Sequence, residues 1–292
     1  MLVVDTIEDM QAACRGLRRA GRSLGLVPTM GALHAGHLSL VQASKAMCDV
    51  TAASIFVNPT QFAPNEDLAK YPRTFEADCA AFQHEEVDLV FAPSAEQMYT
   101  VGSSTWVEVE GVGNRGEGSS RPGHMRGVAT IVAKLFHIVG PTHAFFGQKD
   151  AAQLAVLRKM VDDLNFDLKV VSCPIVREAD GLAMSSRNSF LSPEQRRQAL
   201  VINRALGAAA DLVARGETSS RQLLDAMRSV MATEAGVGID YVSVVNPDSL
   251  EDIEDVREGG LLSIAAAVGT TRLIDNVLLA ASGRPAALEL VS

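Results

Sequence analysis

Two imidazoles three residues apart, His34 and His37, stand inside "GLVPTMGALHAGHLSLV" (residues 25–41), a stretch that otherwise reads as a buried strand running into a helix. A turn of small residues at that junction would place backbone N–H groups and the positive end of a helix dipole beside the two rings, a setting suited to phosphate. Imidazole fits it because an ordinary pKa of about 6.5 allows donation to a charged oxygen without a permanent charge. The three-residue spacing sets both rings on one side of the helix start, where they can meet one phosphate. Either histidine alone would read as a satisfied turn residue. The pair, the intervening Gly36 and the strand-to-helix setting favour a phosphate site. Zinc is disfavoured, because there is no HExxH and no carboxylate or cysteine in register.

A second junction, "GQKD" (Gly147, Gln148, Lys149 and Asp150), lies between another strand and helix. There Gly147 allows close approach, Lys149 offers an ammonium to phosphate, and Asp150 caps the helix or meets a ribose hydroxyl. Other motif matches fail. "GALHAGHLS" has Walker A glycine spacing, but His37 and Leu38 occupy the positions that need Lys and Ser/Thr. "GVGNRG" (residues 111–116) satisfies GxGxxG after the strand-like "TWVEVE", yet the following "EGSSRPGH" does not open a helix, so a flexible loop is expected. No GxSxG nucleophile elbow is present.

The elements that must carry these residues alternate. "SLGLVPT", stopped by Pro28, "VTAASIFVN", "VDLVFAP", "THAFFG" and "LKVVSCPIV" are short apolar runs, each ending near Gly, Pro or Asn. Between them, "GVATIVAKLFHIVG" and "DAAQLAVLRKMVDDL" have helical spacing of apolar residues. Strands alternating with helices predict a parallel sheet covered on both faces. Past residue 175 the pattern changes to a long helix with Ser192 as cap and Pro193 at its first position, then another helix, "TSSRQLLDAMRSVMATEAG". "IDYVSVVNPDSLEDI" and "GGLLSIAAAVGTTRLIDNVLL" follow as strands of a smaller α+β unit. The expected boundary divides residues 1–175 from residues 176–292.

At 292 residues the chain can bury a sizeable core, and 47% hydrophobic with 21% charged residues is a globular composition. A net charge of −9 argues against nucleic acid as the partner and favours small-molecule chemistry. No apolar run is long enough to cross a bilayer, and the N-terminus reads as an amphipathic helix rather than a secretory leader. Cys14, Cys48, Cys79 and Cys173 are scattered without CxxC spacing, as buried free thiols would be, so a cytoplasmic enzyme is expected.

"PTMGALHAGH" resembles the HxGH-type signature of the nucleotidyltransferase and class I aminoacyl-tRNA synthetase superfamily, which binds ATP phosphates at the first strand-to-helix turn. "GLAMSSRNSFLS" (residues 181–192) resembles that superfamily's second phosphate motif, with Met184, Ser185, Ser186 and Arg187 remaining and both usual lysines absent. Hydroxyls and an arginine fork still suit phosphate oxygens. Over essentially the whole chain, "FVNPTQFAPNEDLAKYPRT", "RPGHMRGVATIVAKLFHIV", "FFGQKDAAQLAVLRKMVDDLNF" and "IVREADGLAMSSRN" are similar to blocks of the pantothenate synthetase family, in the same order.

That resemblance implies an α/β fold, a Rossmann-like doubly wound parallel sheet with a smaller C-terminal α+β lid domain, and a homodimer. It implies ATP-dependent condensation of pantoate with β-alanine through a pantoyl adenylate, releasing AMP and pyrophosphate, with Mg²⁺. By resemblance, ATP is held by Met30, Gly31, His34, Gly36 and His37, by Gly147 to Asp150, by Val176 and by Met184 to Arg187. His37 takes the proton-donor position with His34 beside it, and Lys149 acts on the phosphates. Where the family usually has Glu before that lysine, Gln148 stands here. Gln61 and Gln153 match pantoate positions, and Asn58 is a plausible neighbour; alone, Asn58-Pro59 would be a turn and Gln153 an exposed helix residue. Asp78 could hold Mg²⁺ through water or be a solvated helix carboxylate. Arg121, His124 and Arg126 are steering groups or loop cations, and the glycine-rich loop around them would help the C-terminal domain close. The rival readings are a nucleotidyltransferase that forms no amide and a non-catalytic nucleotide-binding regulatory module.

Overall fold

The computed structural model describes residues 1–62 and 68–281. Residues 63–67 of the "FVNPTQFAPNEDLAKYPRT" block, and the last eleven of the expected C-terminal domain, lie outside the described residues. By Cα packing the chain divides into two compact units. The first takes Met1–Gly147 and Val156–Cys173, and the second takes Gln148–Ala155 and Pro174 onward.

In the first unit, β1 (Leu2–Val4), β2 (Leu24–Thr29), β3 (Val50–Ile55), β4 (Leu89–Phe91), β5 (His143–Gly147) and β6 (Lys169–Cys173) form one parallel sheet in the order β1-β4-β3-β2-β5-β6. Its helices are α1 (Ile7–Arg19), α2 (Ala35–Met47), α3 (Phe75–His84), the short α4 (Ala95–Met98) and α5 (Glu117–Ser120), α6 (His124–Val139) and, from Val156 on, α7 (Ala151–Asp163), whose first turn belongs to the second unit. The chain winds outward from β2 in both directions, so right-handed crossovers place the two sets of helices on opposite faces. This is the doubly wound α/β architecture, with its switch point between β2 and β5. Ligands in such sheets bind beyond the carboxyl ends of the strands at that point. β2 ends there in "TMGALHAGH", and β5 runs directly into Gln148. The inner strands are mostly apolar, with Thr29, Thr51 and Ser54 as buried polar exceptions; Val27, Val41, Ala53, Phe82, Val90 and Phe145 pack into one core cluster.

Three local expectations are corrected. Pro28 does not stop β2, which continues to Thr29. Thr29 pairs toward β3, accepting from the Phe56 N–H, so the missing donor of Pro28 faces the β5 side, where pairing has already ended at Leu26 with Ala144. "TWVEVE" alternates like a strand but joins no ladder. The "EGSSRPGH" segment does open helical structure, as α5, and is packed rather than loose. Val112, Glu117 and Gly118 are buried, and a Cβ on Gly118 would overlap the Gly113 carbonyl.

The second unit pairs α8 (Pro193–Ala214) and α9 (Ser220–Met231) with an antiparallel sheet of β7 (Val237–Val245), β8 (Gly260–Val268) and β9 (Thr271–Leu279). Ser192 caps α8 in a capping box with Gln195, with Pro193 at the first position. Ile202, Leu206, Leu223, Met227, Leu262 and Ile264 fill its own core.

Candidate active site

The turn after β2 is built from the backbone outward. Gly31 has φ +80°, and Ala32, which bears the steric cost of a side chain there, has φ +52°. Thr29 Oγ1 accepts from the Gly31 N–H at 3.2 Å while donating to the Ser54 carbonyl. The strained pair is held by Asp78 on α3, whose carboxylate accepts from the N–H groups of Ala32 at 3.0 Å and Leu33 at 2.9 Å and from the Thr74 hydroxyl at 3.1 Å. Asp78 is 3% exposed. It is therefore not a solvated carboxylate; its three accepted bonds make it the buttress of the turn and leave a lone pair on Oδ1 as its one remaining site toward a hydrated Mg²⁺. Among the described residues no group of three or more His, Cys, Asp or Glu could hold a metal ion.

His34 is the N-cap of α2. Its Nδ1 accepts from the Gly36 N–H at 3.1 Å, and His37 Nδ1 accepts from the His34 N–H at 3.3 Å, a reciprocal cap in which imidazoles take the places usually filled by Ser and Glu. The rings stack with centroids 4.1 Å apart. A ring nitrogen that accepts carries no proton, so these two bonds assign the N–H of each ring to Nε2. A Cβ on Gly36 would lie 2.9 Å from His34 Nδ1 and Cε1, so any larger residue there would displace the His34 ring. Capping and phosphate donation are thus compatible roles of the same two rings.

Met30, at the start of this turn, meets Gln61: the Gln61 side-chain amide donates to the Met30 sulfur at 3.1 Å. Asn58 differs from its expected role. Its Nδ2 donates to Gln61 Oε1 and the Gly127 carbonyl, both at 3.1 Å, and its Oδ1 accepts from the hydroxyls of Tyr99 at 2.8 Å and Thr60 at 2.9 Å. At 1% exposure with its hydrogen-bonding capacity filled, Asn58 orients Gln61 rather than meeting a substrate. Burial pushes the Tyr99 hydroxyl above its ordinary range despite bonds to Thr60 and Asn58, which keeps it protonated as a donor. His124 holds Gln61 from its other side, Nδ1 to the Gln61 carbonyl at 2.8 Å, while Arg121 lies 3.0 Å from its Nε2 and Arg126 covers the Trp106 ring. Of the three expected steering or loop cations, two are tied to the base of Gln61.

The remaining expected residues lie at or beyond the end of β5. Among the described residues, nothing beyond its chain neighbours lies within 4 Å of a Cβ on Gly147, so it borders open space. In the second unit, Lys149 is half-buried, Asp150 exposed, and Gln153 half-buried in the first turn of α7. Val176 and Met184, eight apart, are joined by a main-chain bond, Met184 N–H to the Val176 carbonyl at 2.9 Å, closing a hairpin with the Arg177–Ala183 bridge. Ser185 caps the following helical turn by accepting from the Arg187 N–H, leaving Ser186 and Arg187 at its start. Burial would raise the carboxyl of Glu178, but hydrogen bonds from Arg196 and Asn188, with the Arg196 charge, bring it below its ordinary range; Asp180 is lowered in the same balance.

Two residues escaped the sequence reading. On β9, Asn276 Nδ2 donates to the carbonyls of Gln148 at 2.9 Å and Lys149 at 3.0 Å, and its Oδ1 accepts from Gln148 Nε2 at 3.2 Å. Asp275 accepts both Nη groups of Arg177, at 2.7 and 3.0 Å. The signal available was two successive polar residues in an apolar strand, which period-2 alternation cannot place on one solvent face.

Known proteins can be set beside this geometry. A model of the pantoate-beta-alanine ligase family matches residues 2–278. A pantothenate synthetase of Acidobacterium capsulatum is 61% identical over 98% of this chain and 99% of its own length, and one of Koribacter versatilis is 57% identical over 97% of both. The crystal structure of pantothenate synthetase from Thermus thermophilus superposes with a TM-score of 0.91 at 44% identity, covering 98% of this chain and 100% of that one. The Francisella tularensis pantoate-beta-alanine ligase, complexed with β-γ ATP and β-alanine, gives 0.76 at 32% identity over 95% and 97%. With the fold, the paired-histidine turn and a match along nearly its entire length, the chain belongs to the pantoate-β-alanine ligase family.

Proposed function

We propose that this chain condenses pantoate with β-alanine, using ATP cleaved to AMP and pyrophosphate, through a pantoyl-adenylate intermediate. The observation that carries the reading is the stacked His34–His37 pair, with each Nδ1 turned back to the helix start.

A carboxylate resists an amine because its carbonyl is electron-rich and oxide is a poor leaving group, so it must first be joined to a better one. In the first step a pantoate carboxylate oxygen bonds to the α-phosphorus and pyrophosphate leaves. The Nε2–H groups of His34 and His37 and the α2 N-terminus hold the charge that builds on the phosphate oxygens. Lys149, Ser186 and Arg187 add cationic and hydroxyl donors to the same nucleotide, while Ser185 orders the turn that carries the last two. Gln61 and Gln153 hold pantoate by neutral amides that cannot compete as nucleophiles. In the second step the β-alanine nitrogen bonds to the acyl carbon, AMP leaves and the amine loses a proton; exclusion of water protects the intermediate. Mg²⁺ would reach the site mainly on the nucleotide phosphates, because Asp78 is committed to the turn and has little left to offer it. The same reading carries a homodimer, a cytoplasmic location and a lid role for residues 176–292 over the ATP- and pantoate-binding domain of residues 1–175.

Pantoate-dependent exchange of labelled pyrophosphate into ATP tests acid activation and excludes a mere nucleotide-binding module. β-Alanine-dependent release of AMP separates the ligase from a transferase that forms no amide. Absence of both overturns the proposal.

A further inference from the structure

Asp275 and Asn276 are 4% and 3% exposed and adjacent on β9, and their side chains reach Gln148, Lys149 and Arg177, which lie in or next to segments assigned above to the nucleotide. Asn276 grips the main chain of Gln148 and Lys149 through two carbonyls, and the Gln148 side chain returns a bond to its Oδ1. Asp275 takes the Arg177 fork, and that same guanidinium donates to the Gly181 carbonyl at 3.1 Å, so it fixes the hairpin from which Met184 to Arg187 emerge. The two side chains are themselves tied, Asn276 N–H to Asp275 Oδ1 at 2.8 Å. Both gripped segments belong to the second unit, so the clasp lies within one compact body.

Burying a carboxylate and an amide in a sheet is costly, and an apolar pair of similar size would serve stability as well or better. Such groups justify their cost when they fix one geometry among several. Here the geometry is the relative placement of the Lys149 backbone and the Ser185–Arg187 turn. We propose that Asp275 and Asn276 are a positioning pair that holds these two segments in one fixed relation, and so sets the affinity for the ATP phosphates without touching them. The proposal rests on the assignment of Lys149 and Ser185–Arg187 to ATP.

The test is steady-state kinetics on the full chain, with KM measured separately for ATP, pantoate and β-alanine. Asn276→Asp is nearly isosteric but turns a donor into an acceptor facing two carbonyls. It should raise the KM for ATP about tenfold or more, with the other two KM values within about twofold. Arg177→Lys keeps the charge and loses the fork, and should give a smaller rise of the same kind; it serves if Asn276→Asp does not fold. In a Lys149→Ala background, Asn276→Asp should add little further to the ATP KM, because the two act through one contact. The proposal is overturned if the ATP KM stays within about twofold in the folded variants, if all three KM values move together, or if the effects of Lys149→Ala and Asn276→Asp multiply in full. An ATP KM unmoved by Lys149→Ala and Arg187→Ala would instead overturn the underlying assignment.

Discussion

The two regions proposed to hold the nucleotide are themselves held in opposite ways. The turn of His34 and His37 is closed by bonds between residues two and three apart, with one distant carboxylate, 46 positions away, beneath it. The segments around Lys149 and Met184 are held from β9, across 127 and 128 positions in one case and 98 in the other. A locally closed turn forms its geometry as soon as its helix starts. A distantly clasped one has its geometry only when the whole second unit has folded. The first region should therefore tolerate damage elsewhere and fail through its own residues, and the second should fail through residues that never meet the nucleotide.

The sharpest break is expected at His37. His37→Ala should lower adenylate formation by roughly 10²- to 10³-fold, the cost of losing one placed donor to a developing charge. His37→Gln retains an acceptor suited to the third helical position, so an equal loss of rate with an unchanged melting temperature would assign the loss to the imidazole. Next comes Asp78→Asn, which sets a donor against one of the two turn amides. Urea unfolding should show a loss of about 2 kcal/mol, with a raised ATP KM. A stable Asp78→Asn protein with normal ATP KM would remove the buttress from the account. Gly36→Ala should be smaller: alanine favours helices, yet its methyl displaces the His34 ring. A net loss of about 1 kcal/mol, the usual size of a lost cap, is expected in place of the usual gain.

The smallest effect separates the regions by pH. Glu178 and Asp180 have lowered folded-state pKa values, so the stability they add is fully present above their ordinary values of 4.5 and 3.8 and is lost as pH falls through the lower, folded ones. Protection factors for amide exchange over residues 177–188 should thus fall on acidification below about pH 4, through those two groups. Equal protection there at pH 3 and pH 6 would show that the Arg196 pairing contributes nothing.

What the sequence makes legible follows the same division. The paired histidines, Gly36, the Ser192 cap and the strand-helix alternation are local patterns, and the chain shows them without its tertiary structure. "TWVEVE" has the right alternation but no neighbour to pair with, a fact that lies outside its own residues. Pro28 reads as a strand end because its tolerance depends on where β5 stops. Asp78 and Asn58 stand out by type and place, yet their partners are backbone groups and a neighbouring amide, so a ligand role is suggested where a supporting one exists. Asp275 and Asn276 offer only the weak signal of two adjacent polar residues, since their partners lie a hundred or so positions back.

The caps on α2 carry one further consequence. An imidazole whose Nδ1 is occupied as an acceptor has a single door for protons, at Nε2, and that door already holds one. Taking up a second would turn Nδ1 into a donor facing the backbone N–H it now receives, and the helix start would come undone. In the reaction proposed above, His37 would then assist pyrophosphate departure by sharing its hydrogen, with the proton itself staying on the ring.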